Sequence, residues 1–110
     1  MSLLPFIQSL LTPFTKHEPL RITPSSSVGM RSGHVRLKSN QAVSWHTTGN
    51  SEESIVVMRG RGEMLTRNDP PQPFEAPCFI FIPADTEHSV RSTDPSLALE
   101  YVYVVATVAK

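Results

Sequence analysis

From residue 28 onward the apolar positions come in short runs cut by polar pairs or glycine. Val35 and Leu37 alternate with polar neighbours, Val43 and Trp45 do the same, and Ile55, Val56, Val57 and Met58 form one brief continuous run. This is the spacing of half-buried and buried strands, not the three-and-four spacing of an amphipathic helix. It predicts strands at about 28–38, 42–48, 52–59, 62–66, 78–82, 87–92 and 97–108. Turn-forming residues stand between them: Ser39-Asn40, Gly49-Asn50, Gly60-Arg61-Gly62, Asn68-Asp69-Pro70-Pro71, Pro83-Ala84-Asp85 and Thr93-Asp94-Pro95. Short strands without crossover helices imply an antiparallel sandwich or barrel.

Alternation also assigns faces. Over 42–48 one face carries Ser44, His46 and Thr48 and the other Val43 and Trp45; over 53–58 one face carries Glu53, Ile55 and Val57 and the other Val56 and Met58. The last strand is apolar on both faces as well. A small barrel has one interior, so apolar outward positions need a second cover, either the N-terminal segment or another subunit, and a homodimer is expected. Residues 2–14 are apolar but lack a basic leader region, and they are too short and proline-interrupted to span a bilayer. Leu3, Leu4, Ile7, Leu10 and Leu11 stand at helical spacing, which predicts a short helix or irregular arm laid on the main body. Residues 15–27 read as a polar connector with one short strand near 20–23 and no functional role. The chain thus divides into an arm and connector, 1–27, and a β-barrel, 28–110.

Composition narrows the function classes. Ten basic and ten acidic residues cancel, which argues against nucleic acid as a partner, because phosphate binding needs a surplus of Lys and Arg on one face. The 10 prolines in 110 residues weigh against a helical bundle. One cysteine cannot form an internal disulfide, so a reduced, cytoplasmic setting is the simplest expectation.

Four histidines are present. His17 lies in the connector and His34 alternates with the core positions Val35 and Leu37, so both are expected at the surface. His46 shares a strand face with Thr48, and Glu53 follows across the Gly49-Asn50 turn, so a hairpin can bring imidazole and carboxylate together. His88 follows the Pro83-Ala84-Asp85-Thr86 turn. Two imidazoles and a carboxylate delivered from strands make the ligand set of a facial metal site. Glu52, the rival carboxylate, falls on the face opposite Ile55 and Val57. Cys78, between apolar neighbours, reads as a core residue. Tyr101 and Tyr103 share a face and either present hydroxyls to a ligand or pack at an edge. Arg59 and Arg61 read as solvated, and Asp85 either caps its turn or stands at the barrel mouth.

At these residues the sequence resembles the cupin family. Its first motif, G-x5-H-x-H-x3,4-E-x6-G, is matched by His46, Thr48, Glu53 and Gly60 at the His, His, Glu and Gly positions, with Asn40 at the leading Gly. Its second, G-x5-P-x-G-x2-H-x3-N, aligns with Pro77, Pro83, Asp85, His88 and Ser92, of which Pro83 and His88 agree. The resemblance covers about 28–107. It implies an all-β fold, an antiparallel double-stranded β-helix or jelly-roll barrel, often dimeric, with a divalent metal inside. Thr48 stands where the family has its second histidine, and a neutral hydroxyl is a poor ligand beside imidazole. His46, Glu53 and His88 are therefore the expected ligands of Fe, Mn, Zn or Ni, with a metal-free pocket as the alternative. Two functions follow. One is a metal-dependent protein that binds and transforms a small polar metabolite, a sugar derivative or organic acid, with Glu53 or a bound water handling protons. The other is a metal-free small-molecule-binding cupin without catalysis. Neither involves a membrane.

Overall fold

The computed structural model describes residues 5–11, 14–20 and 29–107. Among them all regular elements are strands: β1 (His17–Pro19), β2 (Met30–Leu37), β3 (Ser51–Arg59), β4 (Arg61–Thr66), β5 (Gln72–Glu75), β6 (Cys78–Ile82), β7 (His88–Ser92) and β8 (Leu99–Thr107). They form two antiparallel sheets, one ordered β1-β2-β8-β3-β6 and the other β5-β4-β7. The core fills the space between them. Val35, Leu37, Ile55, Val57, Ile82, Leu99 and Tyr101 come from the large sheet, and Met64 and Val90 from the small one. Alternation on β3 is as the pattern requires, with Glu53, Ile55 and Val57 buried and Val56 and Met58 outward.

Two elements differ from the sequence expectation. Residues 42–48 do not make a regular strand; they run beside β7, joined to it by isolated bridges at Ala42↔Arg91 and His46↔His88. Val43 and Ser44, neighbours in the chain, both line the same cavity, so the two-residue alternation is lost there. β5 was not foreseen because Pro70, Pro71 and Pro73 crowd it. It is an edge strand beside β4, where a missing N–H can face solvent.

The N-terminal arm has no helix among its described residues. Ile7 and Leu11 are 97% and 91% exposed, so these two positions of the apolar stripe lack the packing that sustains a short helix, and Leu3 and Leu4 lie outside the described residues. Phe14 packs on the body, its ring 4.6 Å from that of His34 and beneath the Arg36 guanidinium at 4.9 Å. The short strand of the connector is β1, earlier than the 20–23 expected, and residues 21–23 lie outside the described residues. It pairs with β2, Glu18 opposite His34.

The surface placement of His34 is corrected. It points away from the barrel interior, as alternation requires, yet is only 1% exposed because Phe14 covers it. Its Nε2 lies 2.6 Å from Glu100, which also faces Arg36 at 3.5 Å. The outer face further along the large sheet has no such cover. Val56 and Phe79 pair across β3 and β6, Phe81 stands one row on, and these three are half or more exposed. The physical basis for expecting a second copy lies in this face.

The β3–β4 hairpin turns at Gly60, whose φ is +89°. A Cβ there would meet the Ala98 carbonyl oxygen at 2.7 Å. Gly49 also has a positive φ, but nothing lies within 4 Å of its would-be Cβ. Gly49→Ala should therefore lose about 1 kcal/mol, the backbone strain alone, and Gly60→Ala about 3 kcal/mol. Urea unfolding of both variants checks this; equal losses would show that the contact with the β7–β8 connection is unimportant.

Candidate metal centre

Three expected residues converge. His46 and His88 exchange both backbone hydrogen bonds, N–H of His46 to the His88 carbonyl at 3.0 Å and the reverse at 2.9 Å. That pairing sets their rings side by side, with centroids 4.3 Å apart. Glu53 reaches them from β3, where it sits in register with Val105 on one side and Ile82 on the other. Each of the three offers one ligand atom, and these atoms lie within 4.8 Å of one another. Ligand atoms around a first-row cation with bonds of about 2.1 Å are roughly 3 to 4 Å apart, so modest side-chain rotation closes the group on an ion. Glu52 is exposed on the opposite face.

The backbone also decides which nitrogens face the centre. His46 Nδ1 lies 2.8 Å from the Ser44 carbonyl and His88 Nδ1 2.9 Å from that of Thr86. A carbonyl only accepts, so each Nδ1 carries the proton and each Nε2 is the nitrogen left to bind. Backbone acceptors behind the rings are the usual means of orienting histidine ligands. Both turns that feed these histidines bend through the left-handed region at non-glycine residues, Asn40 at φ 65° and Asp85 at φ 58°. Asn and Asp tolerate that region better than other side chains, and both are positions where the resembled motifs carry glycine. The Asp85 N–H donates to the Gly49 carbonyl at 2.6 Å, tying the His88 turn to the hairpin between His46 and Glu53.

Glu53 is 5% exposed and His88 1%. A buried carboxylate without a partner is costly, and here His88 Nε2 lies 3.2 Å from Glu53 Oε1. Burial is the largest influence on His88 and lowers its pKa, but the Glu53 hydrogen bond, the Thr86 carbonyl and the Glu53 charge together outweigh it, and the net shift is upward. Thr48 lines the cavity without joining the group. Its hydroxyl donates to the Ser51 carbonyl at 2.8 Å and serves the turn into β3.

The centre opens into a cavity of about 430 Å³, within the range of small-molecule sites. Tyr101 and Tyr103 both line it. Burial first, then the Glu53 charge and Tyr103, push the Tyr101 phenol well above its ordinary pKa. Burial likewise raises Tyr103, with Arg31 opposing and Glu53 adding. The Tyr103 ring crosses Gly33 on β2, where a Cβ would stand 2.4 Å from the hydroxyl oxygen. A side chain at residue 33 would therefore displace the ring.

The connector is corrected here: Lys16 and His17 line this cavity, and His17 Nε2 shares a 2.6 Å hydrogen bond with the Tyr103 hydroxyl. Nothing in 15–27 marks them, because the pairing of β1 with β2 that brings them in is long-range. Arg31, also missed, was accessible from alternation, since it shares parity with the inward Val35 and Leu37. Cys78 packs against the core, and burial raises its thiol pKa. Arg59 is exposed and Arg61 pairs with Asp94 at 3.2 Å.

Because the carboxylate is what holds His88 above its ordinary value of 6.5, metal-free protein should titrate His88 above that value by NMR. In Glu53→Gln the carboxylate charge is lost while the Thr86 carbonyl remains, and the midpoint should fall. The raised value also means that this pair stabilises the fold fully below the ordinary pKa and less as pH climbs through the folded one. A midpoint unchanged by Glu53→Gln would contradict the assignment.

Known proteins agree with this architecture. Residues 33–105 match the family model of the cupin domain. Among solved structures, an RmlC-like cupin from Methanocaldococcus jannaschii superposes with TM-score 0.75 at 15% identity, over 92% of this chain and 87% of that one. An RmlC-like cupin from Desulfovibrio desulfuricans gives 0.73 at 22%, over 92% and 97%. A cupin-like protein from Thermotoga maritima gives 0.71 at 18%, over 83% and 66%. No curated protein matches the sequence. With two antiparallel sheets, a double-stranded β-helix fold and a family match spanning most of the barrel, the chain belongs to the cupin family.

Proposed function

We propose that this cupin binds a divalent first-row cation on His46 Nε2, a Glu53 carboxylate oxygen and His88 Nε2, and offers it to a small polar molecule in the adjoining cavity. The observation that carries the reading is the pair of backbone carbonyls behind the two rings. They leave Nε2 as the free nitrogen of each ring, beside one carboxylate. Two imidazoles and a carboxylate suit Fe(II), Mn(II), Zn(II) or Ni(II), with remaining positions open to water or ligand. A cation there would act as a Lewis acid toward an oxygen of the bound molecule. Glu53, buried and aimed at the same point, is the group placed to hold or move a proton, and Tyr101 remains a neutral hydroxyl in the wall.

The metal-free alternative has its own support. With both ring nitrogens protonated, His88 donates from Nδ1 to Thr86 and from Nε2 to Glu53 across 3.2 Å, which satisfies both buried groups without an ion. Under that reading the cavity binds its molecule through hydrogen bonds alone.

Tag-free protein incubated in turn with Fe(II), Mn(II), Ni(II) and Zn(II), then desalted, separates the two. We expect about one metal per chain for at least one of them, lost in His46→Ala and in His88→Ala. At a hundredfold excess over Kd the ion should add about 2.7 kcal/mol and raise Tm by roughly 10 °C. Thr48→His should tighten the site, since it adds a third imidazole. Protein that retains none of the four metals refutes the metal reading and leaves the metal-free one standing.

A further inference from the structure

The cavity that holds the His46, Glu53 and His88 group also has basic residues in its lining. Lys16 and Arg31 both line it, and neither forms an ion pair with a carboxylate among the described residues. Arg36, Arg61, Arg67 and Arg91, by contrast, are matched to Glu100, Asp94, Glu87 and Glu63. Lys16 reaches across the mouth, its Nζ donating to the Ala42 carbonyl at 3.2 Å.

The position of Arg31 follows from strand register. Arg31 on β2, Val105 on β8 and Glu53 on β3 form one cross-strand row on the inward face. Two inter-strand spacings of about 4.8 Å put the backbones of Arg31 and Glu53 roughly 10 Å apart. A cation and the candidate centre thus stand at opposite ends of a short floor. Between them the lining is largely apolar, with Val35, Val43 and Val105 contributing. Next to Arg31 the Tyr103 ring, seated over Gly33 and hydrogen-bonded to His17, closes the side of this end. An arginine with no carboxylate partner, on the rim of a mostly apolar cavity, is a receptor for a planar anion, which its forked donors match in bidentate fashion.

We propose that the cavity takes a small organic carboxylate, with the carboxylate group at Arg31, the carbon body along the valines, and the opposite end toward His46, Glu53 and His88. The proposal rests on the reading of this cavity as the ligand site. It names the class of molecule and its direction of entry, and it does not require that a metal be bound.

The test uses full-length, EDTA-treated protein and three probes, glutarate, benzoate and 3-methylbutanoate, each beside its neutral amide. Binding is followed by amide shifts in NMR titration. At least one carboxylate should bind and move the signals of Arg31, Gly33 and Tyr103, with its amide weaker by about tenfold or more. Arg31→Gln should lose about tenfold in carboxylate affinity, and Lys16→Gln a smaller factor. Arg31 is exposed, so its replacement should leave the circular dichroism spectrum unchanged and the metal content of loaded protein intact. His88→Ala, which removes a candidate ligand, should keep carboxylate affinity in the EDTA-treated protein within about threefold. Carboxylate binding in a protein that takes up no metal would sink the metal reading and leave this one intact. The proposal is overturned if none of the three carboxylates binds in the cavity up to about 10 mM, if the amides bind equally well, or if Arg31→Gln has no effect.

Discussion

The arrangement of the site depends on one pair of backbone hydrogen bonds, those exchanged by His46 and His88. Residues 42–48 have too little regular pairing to be a strand; the Ala42↔Arg91 bridge and the Val43 N–H to Val90 carbonyl bond hold the segment beside β7, and the His46↔His88 bridge fixes the height of His46 itself. With it, two side chains 42 positions apart in sequence come from one hydrogen-bonded residue pair. Their rings must then emerge on the same side of the local sheet. The carbonyls of Ser44 and Thr86 complete the constraint by setting each ring's rotation. Main-chain geometry therefore aims the imidazoles, and the aim survives changes in the surrounding side chains.

Glu53 brings the opposite kind of constraint. Its place on the inward face of β3, between Ser51 and Ile55, puts a carboxylate where the strand's own pattern calls for an apolar residue. Burying it is unfavourable unless something charged or donating meets it. His88 does so from one side. Across the same cross-strand row Arg31 lines the cavity without an ion pair to Glu53, and between them the wall is apolar, with Val35, Val43 and Val105 contributing.

Much of this was legible in sequence, and the unread parts have physical reasons. The hydrophobic alternation indicates an antiparallel sandwich or barrel, and the spacing of His46, Glu53, Gly60, Pro83 and His88 narrows it to one fold through its resemblance to the cupin motifs. Parity along β3 separated Glu53 from Glu52. The same parity on β2 would have placed Arg31 inside, but a basic residue two positions from Gly33 and four from Val35 does not announce itself as inward. Lys16 and His17 were unreadable, since they enter the cavity only through pairing between β1 and β2, a contact with no local signature. Alternation gives the outward direction of His34 but not its burial, because the Phe14 ring of the arm covers it. β5 was hidden by prolines that an edge strand accepts.

The claim at the centre of this account is that the backbone presents both Nε2 atoms to Glu53. Long-range proton–nitrogen NMR of Zn(II)-loaded protein reads the tautomer of each ring directly. The account predicts that in the loaded protein His46 and His88 both keep their proton on Nδ1, while both Nε2 resonances are shifted from their metal-free positions. A proton on Nε2 of either ring, or a shift of Nδ1 in its place, would contradict it.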